Sequence, residues 1–515
     1  MGLRRLSLLV VASLAALAAC SGGSGSSADG GGSPQHGGTL TIVREQASKT
    51  LSKTQMHLNS GIWLIQQVLD TLYVATPDGQ DLKPDLAKSY DVSKDKKTWT
   101  FHLRKGVKFS DGSPLTAKDV KFSIGLNGRE QSPWSFVNSA IASIDTPDKS
   151  TVRIHTKHPW SPLLADVALF ANAIVPANFG GKSEDEFYQK PIGTGPFMIA
   201  ARDKGNSITL KRNPHYWRKG KPYLDKVKLV YVENSNSRVI QAQGGKADIA
   251  QFPPYSALNS LKNSTDVTAK TFESSRTNFL IFNTEKKPFD DWRVRHAIAL
   301  AVNRKPMIKA AFFGNAKPAT SFLTPSLWAH QDVVDMKQRP DLAEAKQLMK
   351  QAGYGGGFSA KLTLDPGNNT GATVAQILQE QLKKIGVNIS IRKDSNSSTN
   401  KSKGNYEMAL SYVTTDIIDP DELVGFIAVG TGGVHALYTR YNNPKLNKLA
   451  TEAARTFKKS ERQKMYTKIQ EMVAHDSPFV PLVYPPFAYV VSNDVHNFEV
   501  HTVGSYPLEN VWVSQ

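Results

Sequence analysis

A chain of 515 residues with 40% hydrophobic, 21% charged and 9% aromatic residues has an ordinary globular composition, which excludes collagenous, coiled-coil and fully disordered architectures, and its length allows about three domains. Lys and Arg number 63 against 45 Asp and Glu, a formal charge of +18, which serves solubility or turns a basic face toward anionic material. The basic residues occur only as pairs and near-pairs, such as Lys96-Lys97, Arg104-Lys105 and Lys458-Lys459, with acids interleaved, which argues against nucleic acid as a partner.

At the N-terminus Arg4 and Arg5 precede a mostly apolar run from Leu6 to Ala19. The run is too short to cross ~30 Å of hydrocarbon as a helix and fits the apolar region of an export signal, so residues 1–19 are read as a cleaved signal peptide. Cys20 is the only cysteine, which forbids an intrachain disulfide. The string Leu17-Ala18-Ala19-Cys20 resembles the bacterial lipobox, which implies lipidation of Cys20; an ordinary secretory signal with an incidental cysteine is the other reading. Residues 20–37 are almost entirely Gly, Ser and polar residues. Such a segment behaves as a flexible coil with a reach of roughly 20 to 25 Å, a tether between membrane and body. Beyond Leu40 no stretch is apolar for long enough to span a bilayer.

Thr39 to Val43 alternates as a strand, and Ile62 to Leu72 has helical spacing. Thr98 to Leu103 alternates again and, continued by Gly106 to Phe109 before Asp111-Gly112, predicts a hairpin. Thr116 with Asp119 forms a capping box that opens a helix through Val120 and Phe122. Strands follow at Thr151 to His155, repeatedly from Phe197 to Val232, and at Asn278 to Asn283, with a helix around Arg238 to Gly244. Long helices then dominate: Asp291 to Phe312, Leu342 to Gln351, Thr373 to Ile385, and Ser460 to His475 with Ser460 and Gln463 as a capping box. Gly386 ends the third of these as a C′ glycine and passes into the alternating Val387 to Ile391, an α/β unit. Val480 to Val491 returns to strand. No internal repeat is visible.

The constellations of an enzyme are missing. No G-x-S-x-G elbow lies outside the tether. Gly180-Gly181-Lys182-Ser183 fails as a phosphate loop because its required first glycine is Pro176. His155 and His158 fall on opposite faces of a strand, so no metal site is expected. Gly193 and Gly195 are read as a loop with unusual backbone angles, and Asp291, Arg293 and Arg295 as an ion-pair lattice at a helix start.

Several blocks carry a family resemblance: Pro84-Asp85-Leu86-Ala87 followed by Ser89 to Ser123; PIGTGPF (191–197) with LKRNPHYW (210–217); GGKADIA (244–250); NTEKKPFDDWRVRHAIALAVNR (283–304); QEQLKKIGVNISI (379–391); and ERQKMYTKIQEMVAHDSPFVPL (461–482). In this order the chain resembles the solute-binding proteins of the peptide, dipeptide and nickel class of bacterial ABC importers, family 5 of the extracellular solute-binding proteins. The resemblance covers nearly everything from Gly38 onward. It implies an α/β, two-lobed periplasmic-binding-protein-like fold with hinge strands and an additional inserted domain. The first lobe would comprise 38–80, 191–283 and 484–515, the inserted domain 81–190, and the second lobe 284–483. The chain crossings would lie near Asn283 to Lys287 and Val483 to Pro486.

The resemblance further implies a non-enzymatic, monomeric receptor without a cofactor, lipid-anchored at the outer face of the cytoplasmic membrane. It would deliver a peptide to an ABC permease with its ATPase subunits; a metal chelate or an oligosaccharide is the alternative cargo. In Ser411 to Glu422, Asp416 resembles the family aspartate that captures a peptide's α-ammonium. A buried ammonium is costly unless a carboxylate pairs with it. Tyr412 stands where relatives often have Trp, and Thr415 precedes the aspartate. The segment from Ser411 to Thr415 could bind an extended ligand by its main chain. Trp134 falls where relatives often supply an aromatic to the cleft. Asp419, before Pro420, is expected to be a turn residue.

Overall fold

The computed structural model describes residues 33–56, 58–432 and 435–514. The signal peptide, Cys20 and the tether as far as residue 32 lie outside them. Two mixed sheets dominate the rest. In the first the strand order is Val267–Phe272, Phe487–Ser492, Ile249–Gln251, Thr39–Arg44, Lys226–Tyr231, Ser207–Arg212 and Phe197–Asp203. Thr39–Arg44 runs parallel to both of its neighbours. In the second the order is Lys317–Pro318, Phe479–Tyr484, Arg276–Phe282, Met408–Thr414, Phe358–Leu364 and Val387–Lys393. A separate antiparallel sheet of four strands, Ala87–Val92, Thr98–Leu103, Thr151–Thr156 and Ile141–Asp148, is inserted in the first part of the chain. The result is a two-lobed α/β fold with an added β-rich segment.

The second sheet shows why these strands form. Along Arg276–Phe282, Phe279 and Ile281 enter one apolar cluster while Leu280 and Phe282 enter another on the opposite face. Alternation sends successive side chains to opposite faces, so a strand covered on both sides must be apolar at every position. Each side chain so buried is worth ~1.5 to 3 kcal/mol. Helices Trp292–Ala301 and Asn369–Lys383 cover one face, and helices Pro444–Arg455 and Lys459–Asp476 the other.

The chain passes from the first sheet to the second between Phe272 and Arg276 and returns between Tyr484 and Phe487. The first crossing therefore precedes the expected Asn283 to Lys287, because Arg276–Phe282 is already hydrogen-bonded between Met408–Thr414 and Phe479–Tyr484. The two crossings lie side by side: the Ser274 hydroxyl donates to the Pro485 carbonyl.

Other expectations are corrected locally. The helix expected at Ile62 to Leu72 spans Asn59–Ile65, since the carbonyls of Gln67 and Val68 turn to accept the amides of Phe197 and Gly195 at 3.0 Å. Gly193 and Gly195 do not adopt positive φ; a Cβ on Gly193 would lie 2.0 Å from the Val68 carbonyl oxygen, so close approach of backbones is what excludes a side chain. Thr98–Leu103 pairs with Ala87–Val92 and Thr151–Thr156, leaving only a Lys108–Pro114 bridge at the Asp111-Gly112 turn. The helix expected at Asp291 to Phe312 breaks at Val302, and Asn303 caps a second helix, Arg304–Ala311. The capping box at Thr116 and Asp119 is present, whereas Ser460 lies inside a helix whose N-cap position is Lys458, without a side-chain cap. Arg293 pairs with Asp291, but Arg295 donates to the carbonyls of Phe289 and Asp476.

Candidate functional site

Where the two lobes meet, the loop after Met408–Thr414 projects Asp416, Ile417 and Ile418 into a cavity of about 200 Å³. The opposite wall comes from Gln66 to Thr71, Ala165 to Ala173, Tyr216 and Arg218, and the C-terminal segment from Glu499 to Asn510. Ile417 is 3% exposed and belongs to the apolar core of the first sheet, so the tip of a second-lobe loop is seated in the first lobe.

The lining is acidic although the chain is basic. Asp70, Asp85, Asp416, Glu499 and Glu509 face two lysine or arginine side chains, Lys83 and Arg218. His501, also lining, is pulled down to about 4 by burial and adds no charge at neutral pH. Arg218 joins Asp85 at 2.6 Å and also pairs with Glu509, which accepts the Tyr216 hydroxyl. Asp70 accepts the Trp217 indole N–H at 3.0 Å and the Thr194 hydroxyl at 2.9 Å. Burial raises the Asp70 carboxyl, and burial followed by the Asp70 charge raises that of Asp85 well above its usual range. One guanidinium thus serves a set of carboxylates that burial already disfavours as anions.

On the facing wall the Asp416 carboxylate has no cation or hydrogen-bond donor paired with it among the described residues. Burial, and then the neighbouring Glu422 charge, push it well above the ordinary carboxylate range. Glu422 is raised to about 7 by burial, against the pull of its donors Thr415, Ile417 and Asp416. Asp416 is half-buried and keeps some exposure to the cavity, and a carboxylate so placed without a counter-charge is disfavoured by itself and stabilised once a cation arrives.

Of the four residues singled out from the sequence, only Asp416 lines the cavity. Thr415 is 1% exposed and turns inward, its hydroxyl, with one proton to donate, within hydrogen-bond reach of both the Ile417 carbonyl at 2.6 Å and the Glu422 carboxylate. Tyr412 is 55% exposed and lies beneath the Arg276 guanidinium at 3.8 Å, outside the lining. Trp134 packs edge-on against Phe170 at 5.1 Å with its indole N–H on the Met56 carbonyl at 2.6 Å, so Phe170, not Trp134, reaches the cavity. Asp419 is more than a turn residue. It caps the helix Pro420–Leu423 and is gripped by both Arg462 Nη atoms at 2.6 and 2.8 Å. Among the described residues no group of three or more His, Cys, Asp or Glu side chains is arranged to hold a metal.

Away from the cavity a second contact joins the lobes. The Ser161 amide and hydroxyl both donate to the Ala454 carbonyl, at 2.8 and 3.0 Å, in the last turn of Pro444–Arg455. Phe457 packs on Trp99 at 5.9 Å, with the Lys96 ammonium 5.5 Å from its ring. Phe136 and Phe426 meet at 6.5 Å.

The sequence matches the family model described as bacterial extracellular solute-binding proteins, family 5 Middle, over residues 81–433. Glutathione-binding protein GsiB from Shigella flexneri is 28% identical over 428 residues, covering 81% of this chain and 83% of that protein. The structure of the ABC transporter-associated periplasmic binding protein DppA from Helicobacter pylori, in complex with the peptide STSA, has a TM-score of 0.83 at 26% identity, covering 93% of this chain and 99% of that one. AgaA from A. tumefacien R10, in complex with agropinic acid, has a TM-score of 0.81 at 29% identity over the same shares.

Proposed function

Because the chain belongs to the bacterial extracellular solute-binding proteins of family 5, we propose that it is the receptor of an ABC importer that captures short peptides between its lobes by their α-ammonium group. The observation that carries this reading is Asp416: a half-buried carboxylate at the cavity wall, without a cationic partner among the described residues, in a lining richer in acids than in cations. An ammonium entering there would supply the missing counter-charge, and the remaining acceptors of the cavity would share its donors.

The lobes in this reading are residues 38–80, 191–272 and 487–514 for the first, 81–190 for the inserted part, and 276–484 for the second. The paired crossings at 273–275 and 485–486 absorb the rotation when the lobes open and close. Cys20 would carry the lipid and residues 20–37 the tether. Among the described residues no helix is long and apolar enough to cross a membrane, and transport across it falls to a partner permease.

Calorimetric titration with the tetrapeptide Ser-Thr-Ser-Ala and its N-acetylated form tests the reading. The free peptide should bind and the acetylated one should bind at least tenfold more weakly. In the Asp416→Asn variant that difference should vanish. Equal affinity for both peptides in the parent chain would remove the ammonium from the account and favour another solute.

A further inference from the structure

The loop that carries Asp416 is shaped from behind by a second carboxylate. Glu422, on the short helix Pro420–Leu423, accepts the Thr415 hydroxyl, the Asp416 amide at 3.2 Å and the Ile417 amide at 2.9 Å. Three donors from three consecutive residues converge on one acceptor, which fixes the turn of the loop and hence the direction of the Asp416 side chain. Glu422 is itself held in place, because Asp419 caps its helix and is clamped by Arg462 from Lys459–Asp476.

We propose that Glu422 is the positioning residue of the capture site: by holding the Thr415 hydroxyl and the Asp416 and Ile417 amides it aims Asp416 into the cavity where a cationic ligand arrives. This rests on the reading of Asp416 as the ammonium anchor. Glu422 is faced by Asp416 from the loop, by Asp419 and Asp421 from its own helix, and by Asp166 from the inserted segment Leu163–Asp166. Arg462 is the cation of this set, and it is committed to Asp419. With so many carboxylates around one guanidinium, two adjacent anions at Asp416 and Glu422 are disfavoured and the pair retains a proton near neutrality. A ligand ammonium at Asp416 displaces that proton. Affinity for a cationic ligand therefore falls as pH drops through the titration of the pair.

Two variants separate positioning from bulk stability. In the ligand-free chain, Glu422→Ala should accelerate hydrogen exchange of the Asp416 and Ile417 amides at least tenfold, while Glu422→Gln, which keeps an acceptor oxygen, should leave them protected. In titrations with Ser-Thr-Ser-Ala from pH 5 to 8.5, Glu422→Ala should bind at least tenfold more weakly. Glu422→Gln should bind with its pH midpoint moved down by about one unit, since a neutral neighbour no longer opposes ionisation of Asp416. Unchanged amide exchange in Glu422→Ala, or an unmoved midpoint in Glu422→Gln, overturns the role. If Asp416→Asn binds the probe as tightly as the parent, the ammonium reading fails instead, and the exchange experiment still decides whether Glu422 shapes the loop.

Discussion

Replacing Phe457 by alanine should loosen the closed arrangement without touching the cavity. Phe457 belongs to the second lobe, yet it packs against the core of the four-stranded inserted sheet, on Trp99 and beneath Lys96. Those contacts exist only while the lobes are together, so their loss acts on the open–closed equilibrium. A fully buried phenylalanine is worth ~1.5 to 3 kcal/mol, and Phe457 is half-buried, so roughly half of that applies. The cation–π contact adds about 0.5 kcal/mol. The sum of ~1.3 to 2 kcal/mol corresponds to roughly an eight- to thirtyfold fall in the closed-to-open ratio, and up to the same factor in apparent affinity. Small-angle scattering with and without bound peptide, together with the dissociation rate by stopped flow, reads the effect. Discrimination between free and acetylated peptides should be unchanged. If Phe457→Ala lowers the unfolding midpoint but leaves both the closed fraction and the dissociation rate alone, the contact is part of static packing and the closure argument is wrong.

Three further outcomes follow from buried groups. Lys53 is wholly buried, donates to the carbonyls of Ser123 and Ala171, and is pulled down to about 7 by burial. The unfolded chain keeps that proton to about pH 10.5, so between pH 7 and 10.5 the unfolded state binds more protons and stability should rise with pH; in Lys53→Met this rise, measured by urea midpoints at pH 7 and 10, should flatten. Arg462→Met would strand Asp419 as a buried, unpaired charge and should cost ~3 to 5 kcal/mol in urea unfolding, with much of the loss recovered in the double variant with Asp419→Asn. Gly193→Ala would push a Cβ onto the Val68 carbonyl and should cost ~1 to 3 kcal/mol by thermal unfolding, with the same loss at pH 6 and pH 8 because no titrating group is involved.

Much of this was legible in the sequence where the signal was local. The helix at Leu342–Gln351 matches its periodicity end to end, and the Thr116–Asp119 box is the one its spacing announced. The break between Trp292–Ala301 and Arg304–Ala311 has a local signal, Asn303 as a cap with Pro306 in the first turn of the second helix, which the expectation of one helix from Asp291 to Phe312 does not use. Long-range geometry was not legible. Arg218 meets Asp85 across 133 positions and Glu509 across 291, so no spacing rule connects them. Asp416 was singled out because its block resembles a family pattern, and the structure puts it on the cavity wall. Thr415, its neighbour, could not be sorted from it, since the side on which each falls depends on the turn that Glu422 imposes. Tyr412 sits two residues before the strand end, opposite Asn278, a register that only the paired strand reveals.

The account stands on a guest whose cationic group meets Asp416 while its covalent bonds remain intact. The most direct check is mass spectrometry of material released by denaturing the purified chain, alongside the Asp416→Asn variant. The account predicts intact peptides with free N-termini from the parent and their loss from the variant. A glycan, a metal chelate without an amine, or the same load from both proteins would contradict it.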